Sequence, residues 1–172
     1  MQTTPTVYMI RHGEKPDDGM NNLSTQGEAR AQRLRDVFGK ESGFNIGYII
    51  AEHPKQDGSR ERPYETVKLL ADDLKGSGVN FNTNIKKDDA AGVARAVKGY
   101  TGPGNVLICW EHHNLSDIAE AIGINRFAES TGWSGNLEYP GSRFDLIWIA
   151  PAPYYEITQV LSEDNLQPTR PL

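Results

Sequence analysis

The chain alternates between short apolar runs and longer stretches in which apolar residues recur every three or four positions, the pattern of strands followed by helices. Residues 7–10 (Val-Tyr-Met-Ile) form the first run of strand length. A polar loop follows at 15–22, and Thr25-Gln26-Gly27-Glu28 reads as a capping box opening a helix. Ala31, Leu34 and Phe38 continue that helix at the right spacing, and Gly39 is its stop. Residues 46–51 read as a second buried strand, with a polar loop at 52–60. Pro63 suits the first turn of a second helix, whose apolar face carries Val67, Leu70 and Leu74. The weak alternation of 79–85 predicts a third strand. Asp88 or Asp89 then caps a helix bearing Ala90, Val93, Ala94 and Val97 on one face. Gly102-Pro103-Gly104 breaks the chain before 106–110, the clearest buried strand. A helix with Leu115, Ile118, Ala119 and Ile122 follows and ends at Gly123. Segments 144–150 and 154–161 predict a closing pair of strands joined by a turn at Pro151 and Pro153.

Strands alternating with helices predict an α/β fold. A mostly parallel central sheet is covered on both faces, a three-layer α/β/α sandwich with ligands at the carboxyl ends of the strands. A length of 172 residues fits one domain with a sizeable core. The formal charge of −5 argues against a broad nucleic-acid footprint but leaves room for a local basic pocket. The lone cysteine, Cys109, rules out an intramolecular disulfide or a multi-thiolate zinc cluster; its apolar setting predicts a buried, inert thiol. Residues 1–6 carry no basic segment leading into an apolar one, and no run is long enough to span a bilayer. The expectation is a cytoplasmic protein with no membrane partner.

The polar residues at the strand ends change the picture most. The first strand empties into Arg11-His12-Gly13-Glu14, which brings a permanently charged fork, a nucleophilic imidazole and a residue without Cβ to one point. The second strand leads to a basic segment, Ser59-Arg60-Glu61-Arg62-Pro63-Tyr64-Glu65-Thr66, and the strand at 106–110 ends in Trp110-Glu111-His112-His113-Asn114. In a parallel sheet these ends share one edge, so two arginines and two histidines can surround a small anion. Phosphoryl transfer spreads charge over three equatorial oxygens and therefore calls for fixed positive donors. A helix start is an unfavourable place for Arg62 unless an anion lies nearby.

Taken together, Arg11-His12-Gly13-Glu14, Leu23-Ser24-Thr25-Gln26-Gly27 with Ala31, Arg62 four residues before Thr66, and the apolar strand leading to His112 resemble the ordered motifs of the histidine phosphatase superfamily, the phosphoglycerate-mutase-like fold. The resemblance runs from about Val7 to Gly123. It implies that His12 is the nucleophile and becomes phosphorylated, that Arg11 and Arg62 clamp the phosphoryl oxygens, and that His112 is the second histidine. No metal or other cofactor is needed. The substrate is then a small phosphorylated molecule, lined by Arg11, Arg62, His112, His113 and Glu14. Two branches of the family place the leaving-group acid differently, either after the third strand, where Asp88 and Asp89 stand, or just after the second histidine, where this chain has His113. Glu111 is a further candidate that strand alternation turns away from His112. Asp88 is the preferred acid.

Other residues have plainer readings. His53 is expected to be a loop residue and Arg60 a surface arginine. Trp110, Trp133, Tyr139, Trp148, Tyr154 and Tyr155 are expected to pack, and the tail after 164 to be irregular. His112 and His113, as strand neighbours, would make poor joint metal ligands. Phosphomonoester hydrolysis is the leading function. A phosphomutase and a phosphate-binding module without turnover are the rivals, and little chain is left over for a lid that a mutase would use to exclude water. Oligomeric state stays open at this level.

Overall fold

The computed structural model describes residues 4–57, 59 and 61–171. Its central sheet has six strands: β1 (Val7–Arg11), β2 (Ile46–Ala51), β3 (Asn80–Asn82), β4 (Asn105–Trp110), β6 (Leu146–Ala150) and β8 (Gln159–Ser162). They lie in the order β3-β2-β4-β1-β6-β8. The first four are mutually parallel, while β6 runs antiparallel to both β1 and β8. Two short strands, β5 (Arg126–Phe127) and β7 (Glu156–Ile157), pair separately.

Every residue of β1 is buried, because the sheet is covered on both faces. Val7 and Met9 enter one core with α3 (Ala90–Gly99) and α4 (His112–Ile122); Tyr8 and Ile10 enter the other with α1 (Thr25–Val37) and α2 (Arg62–Leu74). The period-two alternation of a strand thus divides one apolar run between two layers of helices. Cys109 falls in the second core, where burial pushes its thiol pKa up. No helix among the described residues is long and apolar enough to cross a membrane.

Several local expectations are corrected. The cap of α1 is Ser24, whose hydroxyl accepts from Gly27 N at 3.0 Å, so Thr25 is already helical and the Thr25–Glu28 box does not form. Ser24 is fixed there because its own N–H donates to Glu14 O at 2.9 Å. Strand β3 is only three residues long: beyond Asn82, the carbonyls of Thr83 and Ile85 turn to His53 instead of extending the ladder. The segment 154–161 does not form one strand. Its first part pairs with β5 and its second with β6. The tail folds back on β8, with Ser162 N donating to Gln167 O and Thr169 N to Val160 O. Of the aromatic set, Tyr155 alone among those expected to pack is strongly exposed, at 62%.

Candidate active site

The carboxyl ends of β1, β2, β4 and β8 share one edge of the sheet. Arg11, the last residue of β1, is 1% exposed, an unusual place for a permanent charge. Its Nη1 donates to the carbonyls of Gly141 at 2.9 Å and Arg143 at 2.7 Å, and its guanidinium carbon lies 3.7 Å above the Phe144 ring. Nε is buried and has no hydrogen-bond partner among the described residues. An orphaned donor on a desolvated cation is what an anion would satisfy.

His12 continues the ladder, its N–H donating to Trp110 O at 3.2 Å. Its Nδ1 lies 2.7 Å from Gly13 O. A carbonyl can only accept, so Nδ1 carries the proton and the Nε2 lone pair is left free. Burial lowers the pKa of His12 to about 3, with Arg11, Arg62 and Lys15 adding to the effect. The imidazole is therefore neutral and nucleophilic at physiological pH.

Gly13 is required by close packing. A Cβ there would come within 3.1 Å of Gly27 O, and one on Gly27 would lie 2.5 Å from Glu14 O. The loop after β1 thus rests directly on the first turn of α1. It is also held from α2: Gly13 N donates to Thr66 Oγ1 at 2.8 Å, and the same hydroxyl donates to Arg62 O at 2.6 Å. The spacing of Arg62 and Thr66 is explained by this bond, which joins the loop after β1 to the turn that begins with Arg62. The Arg62 side chain is half-buried and donates from Nη1 to Met20 O at 3.0 Å.

His112 is the first residue of α4, not the end of a strand, and this changes its neighbours. Glu111 is the N-cap, its Oε2 accepting from His113 N at 3.1 Å. Strand alternation therefore does not turn Glu111 away. Its Oε1 lies 3.0 Å from His112 Nδ1, although out of hydrogen-bond alignment, so that buried nitrogen has no bonded partner. Burial lowers the pKa of His112 to about 4; Arg11 reinforces the shift and Glu111 opposes it. The Glu111 charge also acts on Arg11, which links this corner to the end of β1.

The remaining expected residues are spread more widely. Glu14 is buried and gripped by Arg30, whose Nε and Nη2 reach its two oxygens at 2.9 and 2.7 Å. This bidentate pair commits Glu14 to the scaffold behind the loop. His113 is 79% exposed in its side chain and lies against His112 with ring centroids 3.9 Å apart and the rings tilted by 36°. Asp88 is exposed on the turn before α3 and meets Asn114 Nδ2 at 3.4 Å, while Asp89 caps α3 through Gly92 N. Arg60 lies outside the described residues.

The polar atoms of Glu111, His112 and His113 lie within 4.8 Å of one another, closer than a strand geometry would bring them. They stand at the N-terminus of α4, whose dipole favours an anion over a cation. Beside them, His112, His113, Tyr139 and Gly141 help to line a cavity of about 620 Å³. The sequence reading missed Phe144, the carbonyls of Gly141 and Arg143, Arg30 and Glu163, none of which carries a local motif. It also missed Lys15, whose place directly after the Arg-His-Gly-Glu run was a usable signal.

No family model matches the chain, and no curated protein does. Among solved structures, the chain is similar to the candidate phosphohistidine phosphatase SixA from Agrobacterium tumefaciens, with 13% sequence identity and a TM-score of 0.56. The match covers 92% of this chain and 98% of SixA. The fold is the three-layer, phosphoglycerate-mutase-like α/β architecture.

Proposed function

We propose that this chain is a one-domain, cytoplasmic, metal-independent phosphatase that hydrolyses phosphomonoesters through a phosphohistidine on His12. The observation that carries the reading is the tautomer of His12: Nδ1 is committed to Gly13 O at 2.7 Å, and burial keeps the ring neutral, so Nε2 is free to attack. Arg11, Arg62 and Lys15 supply positive charge around the imidazole, and His112 stands beside Arg11.

In the first step His12 Nε2 forms a bond to phosphorus as the bond to the leaving oxygen breaks. Glu111, the carboxyl group beside His112, takes up a proton as the phosphomonoester binds and gives it to that oxygen, in the role for which the sequence favoured Asp88. In the second step water attacks phosphorus, the P–N bond breaks, and the water's proton returns to Glu111. Inorganic phosphate leaves and the free imidazole is restored. Losing one donor to the transferring group costs roughly 3–4 kcal/mol of barrier. The description of SixA makes phosphohistidine-bearing proteins natural substrates to try first.

The test is turnover of p-nitrophenyl phosphate in EDTA by wild type and His12→Ala, with trapping of labelled enzyme from labelled substrate. Turnover that survives chelation, with an acid-labile, alkali-stable label lost in the variant, is expected. Full activity in His12→Ala overturns the proposal.

A further inference from the structure

A second basic cavity lies on the same edge of the sheet as His12. It has a volume of about 520 Å³ and is lined by His53, Lys55, Gln56, Asp57, Lys86 and Lys87. Three lysines gathered in one cavity stand out in a chain of formal charge −5. Lys55, Lys86 and Lys87 have no carboxylate within 4.0 Å among the described residues. Asp57 is the one acidic group in the lining, and its Oδ1 is occupied by the N–H and hydroxyl of Ser59 at 2.9 and 2.6 Å. The cavity therefore offers more positive charge than its own walls neutralise.

Its walls are tied to the phosphoryl site. His53 is held by its N–H on Ile85 O at 2.9 Å and its Nδ1 on Thr83 O at 2.7 Å, so its Nε2 is the ring nitrogen left over. Lys87 O accepts from Trp110 Nε1 at 2.9 Å, which pins the 86–87 turn to the end of β4. Glu52 Oε1 accepts from Glu111 N at 3.3 Å, joining the end of β2 to the cap of α4. The cavity sits over the ends of β2 and β3, and His12 follows β1. With β4 between β2 and β1, β2 lies two strand spacings and β3 three from β1, so the cavity and His12 are roughly 10–14 Å apart.

We propose that this cavity binds a second anionic group of the substrate, a carboxylate or phosphate roughly 10–14 Å from the phosphoryl group that is cleaved. The inference rests on the phosphatase reading and adds a substrate class to it. Two phosphates on adjacent carbons are too close together to span both centres. An acidic residue four positions from a phosphorylated one in an extended peptide lies on the same face of the strand and about 13 Å away, at roughly 3.3 Å per residue. A small molecule with a comparable arm carries the same chemistry. Although the protein as a whole is acidic, its substrate-facing rim selects acidic partners.

The test compares kcat/KM for matched pairs. One pair is a phosphopeptide with Glu four positions from the phosphorylated residue and its Gln counterpart; the other is an aryl phosphate with a carboxylate on an arm of that length and its methyl ester. Wild type is expected to favour the acidic member of at least one pair tenfold or more, less so at high salt. The pair that shows it distinguishes a peptide from a small-molecule source. In Lys86→Ala/Lys87→Ala the ratio should fall towards one, and in Lys86→Glu/Lys87→Glu it should invert. Equal rates for both members of both pairs in wild type, or a preference that survives charge reversal, overturn the inference. If wild type cleaves no phosphoester, the catalytic reading fails separately, and calorimetric binding of the same compounds decides the subsite. Tighter binding of acidic members that the double variants lose sustains it; equal binding refutes it.

Discussion

Glu163 follows β8 at the buried edge of the sheet, with Oε1 3.2 Å from Arg30 Nη1 and Oε2 without a hydrogen-bond partner. Arg30 favours its charged form, but that guanidinium already grips Glu14 with two nitrogens and also reaches Asp164. Burial prevails, helped by the charges of Asp145 and Asp164, and the Glu163 pKa is pushed from 4.5 up to about 8. Between these values the folded chain holds a proton that the unfolded chain releases. Stability from this group is thus complete below the unfolded pKa and is lost as pH rises through the folded one. At about 1.4 kcal/mol per pH unit the loss reaches roughly 3 kcal/mol by pH 7 and roughly 4 kcal/mol by pH 8, levelling off at about 5 kcal/mol above it. Glu163→Gln keeps the oxygen that faces Arg30 and removes the ionisation. His12 and His112 act in the opposite sense: their pKa values are lowered to about 3 and about 4, so their contribution is present above 6.5 and lost on acidification. Both histidines are present in both proteins, so the difference between wild type and variant isolates Glu163. Urea denaturation at four pH values from 5 to 8 should show near-equal stability at the acid end and an advantage for Gln of about 3 kcal/mol at pH 7. A variant less stable by a constant amount across the range would refute the argument, because it would mean that Glu163 is ionised against Arg30.

Thr66→Val leaves the Gly13 N–H without its buried partner and removes the second bond to Arg62 C=O, and should cost about 1–3 kcal/mol of stability together with a marked fall in kcat/KM. Thr66→Ser should restore both, and a Val variant with wild-type kinetics would remove Thr66 from the positioning of the loop. If Glu111 protonates the leaving group, Glu111→Gln should slow alkyl phosphates far more than p-nitrophenyl phosphate, whose leaving group needs little help, whereas Asp88→Asn should alter neither. The reverse pattern would return the acid role to Asp88. Because the His12 pKa is lowered to about 3, kcat/KM corrected for substrate ionisation should show no acid limb from the nucleophile down to about pH 5. An acid limb near 6.5 that persists in His112→Asn would contradict a buried, neutral His12.

The strand–helix order, the two-sided burial of β1 and the Arg11-His12 corner were legible in the chain because each rests on a local pattern. Alternating apolar residues dictate which positions must be buried, and a strand end fixes where the next side chains emerge. The cap of α1 slipped by one residue because its choice depended on Glu14 O, a group from another loop. Whether 154–161 formed one strand or two was decided by β5 and β6, partners that the segment itself does not specify. The same holds at the site. Arg11 is anchored by carbonyls 130 and 132 positions away, and a helical turn, invisible in the apolar pattern, brings Glu111 to His112. The lysine-lined cavity draws on residues 53–57 and 86–87, which carry no joint motif. By itself the sequence determined what must be hidden from water and which polar residues gather at the strand ends. Only the tertiary structure decided which charges meet, since electrostatic partners are selected by distance in space, and that distance is set by how the whole chain closes its two cores.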